Sequence, residues 1–249
     1  MPLRVYTKSK RSPYRHQIEV LSYIVLILGA GILFWAIYPM VSFELYAQLF
    51  LKRSASSPIP ESQTVSSLEF AKSIYSESTS LSSNLRDFTK ADLWFPKSKL
   101  PSAAEDFQVK EYSLSIPRLN LDELSVVVGG NDLSKSLIHY LPTSLPGQYG
   151  NVAIFGHSTL PQLFNSKDYK SVFTYLPKLE VNDSIFITVE GKEYEYEVYN
   201  MYIVDADEVS VLEQQFNDAV LTLVTCVPPG TYLQRLIVNA RLVRNTALK

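Results

Sequence analysis

Residues 219–243 read AVLTLVTCVPPGTYLQRLIVNARLV, and this stretch decides the fold. Two runs rich in valine, leucine and threonine flank the turn-forming segment Val227-Pro228-Pro229-Gly230, the pattern of two β-strands joined by a loop. Paired as a hairpin, the end of the first strand faces the start of the second. Cys226, the one cysteine of the chain, then lies beside Arg235 at the rim of a sheet. Strand parity puts Arg235, Ile237, Asn239 and Arg241 on one face and Leu236, Val238, Ala240 and Leu242 on the other. Arg241 is ~20 Å further from the hairpin end. Of Arg118, Arg235, Arg241 and Arg244, only Arg235 is within reach of the thiol.

Working back from this hairpin, the chain from Phe107 onward is β-rich. Tyr112–Ile116 alternates and stops at Pro117, and Leu124–Val128 is closed by Gly129-Gly130. Ser134–Tyr140 reads as one helical turn, and 141–151 (LPTSLPGQYGN) as a loop. Val152–Phe155 is an apolar strand ending at Gly156-His157-Ser158. Short helices are expected near Tyr169–Tyr175 and Val209–Asn217. Ser184–Val189 and Glu193–Val204 flank Glu190-Gly191-Lys192, a hairpin signal. Many short strands without βαβ alternation predict a mainly β protein, a compact barrel or sandwich.

The N-terminal half is of other material. Residues 1–19 form a basic tail with Arg4, Lys8, Lys10, Arg11 and Arg15 against the single acid Glu19. Val20–Phe43 then runs for 24 residues without a charge, and about 20 helical residues cross a ~30 Å hydrocarbon layer. The bias of basic residues toward the cytoplasm predicts a single-pass cell-membrane anchor, its N-terminus cytoplasmic and everything after residue 43 extracellular. A signal peptide also follows a basic segment, but this apolar run is long for one and only Ser54-Ala55-Ser56 resembles a cleavage site. Glu44–Lys52 is a candidate extension of the membrane helix. Residues 44–106 read as an extracellular stalk, because 54–102 holds 14 serines with Pro58, Pro60, Pro96 and Pro101 as punctuation. Leu93, Trp94 and Phe95 are too apolar for a linker and are expected to pack on the domain, which occupies 107–249.

Near-balanced charge, 23 basic against 25 acidic residues, argues against a polyanion-binding surface. One cysteine allows no intramolecular disulfide. To act as a nucleophile it needs an acid–base partner, because an unperturbed thiol with a pKa of ~8.5 is only slightly ionised at neutral pH. Three histidines are available. His16 lies on the cytoplasmic side of the anchor, and His139 lies in a loop approach. His157 ends a buried strand after a glycine, where the sheet can aim a side chain reproducibly. Asp205, Asp207 and Glu208 cluster in a loop, but no set at metal-ligand spacing emerges, and no cofactor or metal is expected.

These residues together resemble the sortases, the cysteine transpeptidases of bacterial surfaces. The resemblance covers 107–243 and rests on TLVTC (222–226) with Arg235 nine residues downstream, on GNVAIFGHS (150–158), and on SIP (115–117) and PGTYLQRLIV (229–238). It implies an eight-stranded β-barrel. It also implies that Cys226 attacks the Thr–Gly carbonyl of an LPXTG-like sorting signal to form a thioester. His157 would serve as general acid and then base, and Arg235 would stabilise the oxyanion. The implied partners are surface proteins bearing that signal, an amine acceptor (a wall precursor or a pilin lysine) and the membrane, with no nucleic acid. Pilin-polymerising sortases carry an N-terminal lid with Asp-Pro-aromatic, of which Asp92-Leu93-Trp94-Phe95 is a distant form lacking the proline. Two other readings compete: an L,D-transpeptidase-like wall enzyme, whose cysteine follows a Ser-x-Gly pattern absent here, and a non-catalytic membrane-tethered β domain.

Overall fold

In the computed structural model the quoted stretch forms two antiparallel strands, β8 (Ala219–Val227) and β9 (Gln234–Ala247), in register from Val220↔Arg241 to Val227↔Gln234. The structure describes residues 13–53, 91, 94, 109–206 and 208–247. Before these two strands come α1 (Pro13–Phe50), β1 (Lys52–Arg53), β2 (Glu111–Ile116), β3 (Leu121–Val128), β4 (Leu137–His139), β5 (Gly150–Phe155), β6 (Ser184–Val189) and β7 (Lys192–Asp205). Short 3-10 turns connect several of them.

The strand order β1-β7-β6-β2-β3-β4-β5-β8-β9, together with a pairing of β7 with β9, closes strands β2–β9 into an eight-stranded barrel. Closure is carried by β7, whose 14 residues are long enough to pair with β6 at one end and along most of β9. Two register shifts, at Glu195/Tyr196 and Val198/Asn200, bend it around the barrel. The expected β6–β7 hairpin is present, its connection one residue shorter than read because Lys192 joins β7, with Glu190 and Gly191 both at positive φ (48° and 74°), which fits the right-handed strand twist.

β8 is buried almost throughout, and the reason is that both its faces are covered. Leu221, Leu223 and Val227 face the barrel interior with Leu236, Val238, Ala240, Val152 and Ile154. Val224 and Cys226 face a second apolar cluster with Ile237, Phe155, Val204 and Tyr140. That second cluster contains Cys226, so the candidate site lies there.

Two expectations are corrected. Residues 137–139 form a strand, not a helical turn, because parallel pairing with Val126–Val128 buries Leu137, Ile138 and His139. Tyr169–Tyr175 is a series of turns, with 3-10 geometry only afterwards at Leu176–Lys178, whereas the short helix expected from Val209 is present as the 3-10 helix Val209–Leu212. Pro39 is accommodated within α1, which continues to Phe50.

The chain divides into two compact units, 1–42 and 43–249. Gln17–Leu49 of α1 is long and apolar enough to cross a membrane, with a mean hydropathy of 2.5. Within the second unit, Ala47 and Leu51 are buried in the barrel core, and Lys52–Arg53 add a parallel strand beside Tyr202 and Ile203. The first residues after the apolar run are therefore part of the folded domain. Residues 1–12 of the basic tail and most of the serine-rich segment (54–90, 92–93 and 95–108) lie outside the described residues. A Leu51→Ala substitution is expected to lower domain stability by about 2–3 kcal/mol, the cost of emptying a buried leucine site. Urea unfolding of the full chain in detergent, followed by near-UV circular dichroism, checks this.

Candidate active site

Three strand ends meet at one rim of the barrel. Cys226 and Arg235 are register partners across β8 and β9. On the other side of β8, parallel β5 pairs up to Phe155↔Val224, and His157 follows two residues later. Gly156 is needed between them: a β-carbon there would lie 2.7 Å from Leu137 Cδ2 and closer still to the Phe173 ring. The structure thus brings Cys226, His157 and Arg235 to the same rim, with Cys226 beside Arg235 as the hairpin reading expects. His16 lies in α1.

His139 is not a loop residue but the last residue of β4, fully buried. Its Nδ1 lies 2.8 Å from the Tyr112 hydroxyl and its Nε2 3.1 Å from Thr143 Oγ1. Thr143 belongs to the LPTS turn, which is structural and supports this histidine. Burial pulls the His139 imidazole down to about 4, so it is neutral in the folded protein at neutral pH.

The site itself is closed. Cys226 is 2 % exposed, Arg235 3 % and His157 7 %. Trp94, 1 % exposed, fills the space above them. Its ring lies 5.6 Å from the His157 ring, stacks on Phe155 at 5.7 Å, and sits under the Arg235 guanidinium at 5.1 Å. Ala91, buried nearby, donates its backbone N–H to the Asn131 carbonyl. Leu133, Tyr140 and Val211 complete the apolar wall around this tryptophan. The apolar Leu93-Trp94-Phe95 group hinted at this packing; Asp92, Leu93 and Phe95 lie outside the described residues.

Arg235 is held by its own loop, donating from Nη1 to the carbonyls of Tyr232 (3.1 Å) and Gln234 (3.3 Å). Its Nε has no partner, and among the described residues no carboxylate pairs with it. A buried guanidinium without a counter-charge is costly, and it is relieved when an anion approaches. Burial pushes the Cys226 thiol above its usual value, with Arg235 opposing that shift. Burial also pulls His157 down to about 4, Lys170 adding to it and Asp132 and Asp168 opposing. Under the tryptophan, thiol and imidazole are therefore both neutral at pH 7, while the cation and the unbonded Nε2 of His157 stand ready for a reactant. Among the described residues no group of three His, Cys, Asp or Glu side chains is placed to hold a metal ion.

Residues 114–243, more than half of the chain, match the model of the sortase domain. The chain belongs to the sortase family. Sortase D of Bacillus subtilis (strain 168) is 31% identical over 117 residues, covering 46% of this chain and 53% of that protein, so the chain spans about half the length of this relative. Sortase C-3 of Streptococcus pneumoniae is 27% identical, with a TM-score of 0.50 over 60% of this chain and 71% of that one. A Clostridium perfringens sortase D5 transpeptidase is 26% identical, with a TM-score of 0.48 over 56% of this chain and 84% of that one. The family is one of cysteine transpeptidases.

Two outcomes follow from these environments. A histidine whose folded pKa is depressed keeps its full stabilising effect above its unfolded value and loses it as pH falls. Unfolding free energy, read in urea, should therefore decline from about pH 6.5 to about pH 4, where His139 and His157 finally take up protons. A His139→Gln variant should show a shallower decline. Replacing the cover, Trp94→Ala, should speed alkylation of Cys226 by iodoacetamide at pH 7 by about tenfold and move its midpoint to lower pH, as rehydration lowers the thiol pKa.

Proposed function

We propose that the protein is a membrane-anchored sortase that cleaves an LPXTG-like sorting signal between Thr and Gly and transfers the acyl group to an amine acceptor. In this reading the basic N-terminus is cytoplasmic and the barrel extracellular. The observation that carries the reading is the buried Arg235 guanidinium, without a carboxylate partner among the described residues and in register with the Cys226 thiol.

The roles follow from the chemistry of acyl transfer. Trp94 first leaves the site, admitting peptide to the apolar wall it covers. Water or substrate polar groups then relieve the desolvation that holds thiol and imidazole neutral, and the Cys226 proton passes to His157. The thiolate attacks the Thr carbonyl, and Arg235 stabilises the negative charge that develops on oxygen. His157 returns its proton to the leaving amine, and a Cys226 thioester remains. The incoming amine gives up a proton to His157 as it attacks the thioester, which restores the thiol. Candidate acceptors are a wall precursor and a pilin lysine.

The test is incubation of the full chain, in detergent, with a panel of LPXTG-like peptides and a nucleophilic amine, followed by mass spectrometry of the protein and of the product. Wild type should form the acyl-enzyme and the transfer product, whereas Cys226→Ala should form neither. Arg235→Ala should lower turnover by about 10²–10³ with folding retained, the size expected for one oxyanion donor. Absence of acyl-enzyme in wild type across the panel would sink the proposal.

A further inference from the structure

The backbone around the site carries a contact that its motif does not announce. Regular pairing of β5 with β8 stops at Phe155↔Val224, with one more ladder bond from Gly156 N–H to the Val224 carbonyl at 3.1 Å. Beyond that point two hydroxyls take over. Thr225 Oγ1 donates to the Gly156 carbonyl at 2.8 Å, and Ser158 Oγ donates to the Cys226 carbonyl at 2.6 Å. The two bonds run in opposite directions and flank the pair between them: the residue before the cysteine holds the residue before the histidine, and the residue after the histidine holds the cysteine itself.

This matters because the His157 ring has little else to fix it. Its Nε2 has no hydrogen-bond partner, and the ring rests on Trp94. Its carbonyl accepts from Phe173 N–H at 3.0 Å, which ties His157 to the following loop but not to β8. If Trp94 moves off to admit a peptide, the ring loses its packing partner. The separation of thiol and imidazole then depends on how well the two strand ends are held together.

We propose that Ser158 is a positioning residue for the Cys226–His157 pair, its hydroxyl bond to the Cys226 carbonyl holding the end of β5 against the nucleophile. The inference rests on the roles given to Cys226 and His157 above. Ser158 is half-buried and sits beyond the last regular pair of β5, so its hydroxyl acts where main-chain pairing no longer can.

The test uses the full chain in detergent, with an LPXTG-like peptide and, separately, iodoacetamide. Ser158→Ala should slow acyl-enzyme formation by about tenfold, the scale of a small misplacement of reacting groups, while peptide KM and melting temperature stay unchanged. In a Trp94→Ala background, where solvent reaches the pair, the Cys226 alkylation profile of Ser158→Ala should move to higher pH, because a thiol less well aligned with imidazole ionises later. Ser158→Thr, which keeps the hydroxyl, should restore both readouts to within about twofold. If Ser158→Ala does not fold, Ser158→Cys, similar in size but a weak donor, takes its place. Rates and alkylation profiles within twofold of wild type in the variant lacking the hydroxyl would overturn the proposal, as would failure of Ser158→Thr to rescue. Alkylation needs no peptide, so a wild type that forms no acyl-enzyme defeats the functional reading while the alkylation profiles still decide this one.

Discussion

The central constraint is that β8 is paired on both edges and packed on both faces. Parallel β5 lies on one side and antiparallel β9 on the other. One face fills the barrel and the other lies under a second apolar layer. A strand so enclosed has little freedom to slip, because a shift by one residue would turn Cys226 into the barrel and Val227 out of it. The position of the thiol is therefore a property of the register, and the register is a property of the whole sheet.

The neighbouring groups inherit that precision. Arg235 faces Cys226 because antiparallel partners share a face, and His157 lies alongside because β5 runs parallel to β8 and both His157 and Cys226 come two residues after the last pair, Phe155↔Val224. The same enclosure carries an electrostatic cost. Burial drives the thiol up and the imidazole down, which opposes the ion pair an acyl-transfer site needs. Arg235 offsets part of this for the thiol, and nothing offsets it for His157 except distant carboxylates. The closed site is an arrangement of neutral thiol and imidazole beside a cation that no carboxylate among the described residues neutralises.

Much of this could be read from the residues in order. The hairpin of β8 and β9 announced itself by its apolar runs and the turn between them. Distance along the strand separated Arg235 from Arg241, which shares its face but is instead paired with Asp218. Glu190-Gly191 marked the β6–β7 turn. β4 escaped notice because its three residues follow a Ser-Lys-Ser segment and owe their strand character to pairing with distant β3. His139 looked like a loop histidine for the same reason. Trp94 was legible as an apolar group too large for a linker, but the stretch between it and the barrel has no periodicity to say where it packs. Ser158 gave no signal at all, since a serine after a strand reads as a turn residue and its bond to Cys226 joins positions far apart in sequence.

The parallel pairing of β5 with β8 has a consequence for how the protein comes into being. A hairpin such as β8–β9 can form locally, but β5 and β8 can meet only after the long intervening chain, including β6 and β7, has found its place. Loop-closure entropy has to be overcome before that contact contributes, and topologies dominated by such contacts fold slowly. During that interval the thiol is made and exposed, yet it has neither its imidazole nor its cover. Cys226 gains His157 as a neighbour only once β5 and β8 have paired, so a chain in which they have not yet met carries the thiol without the proposed site.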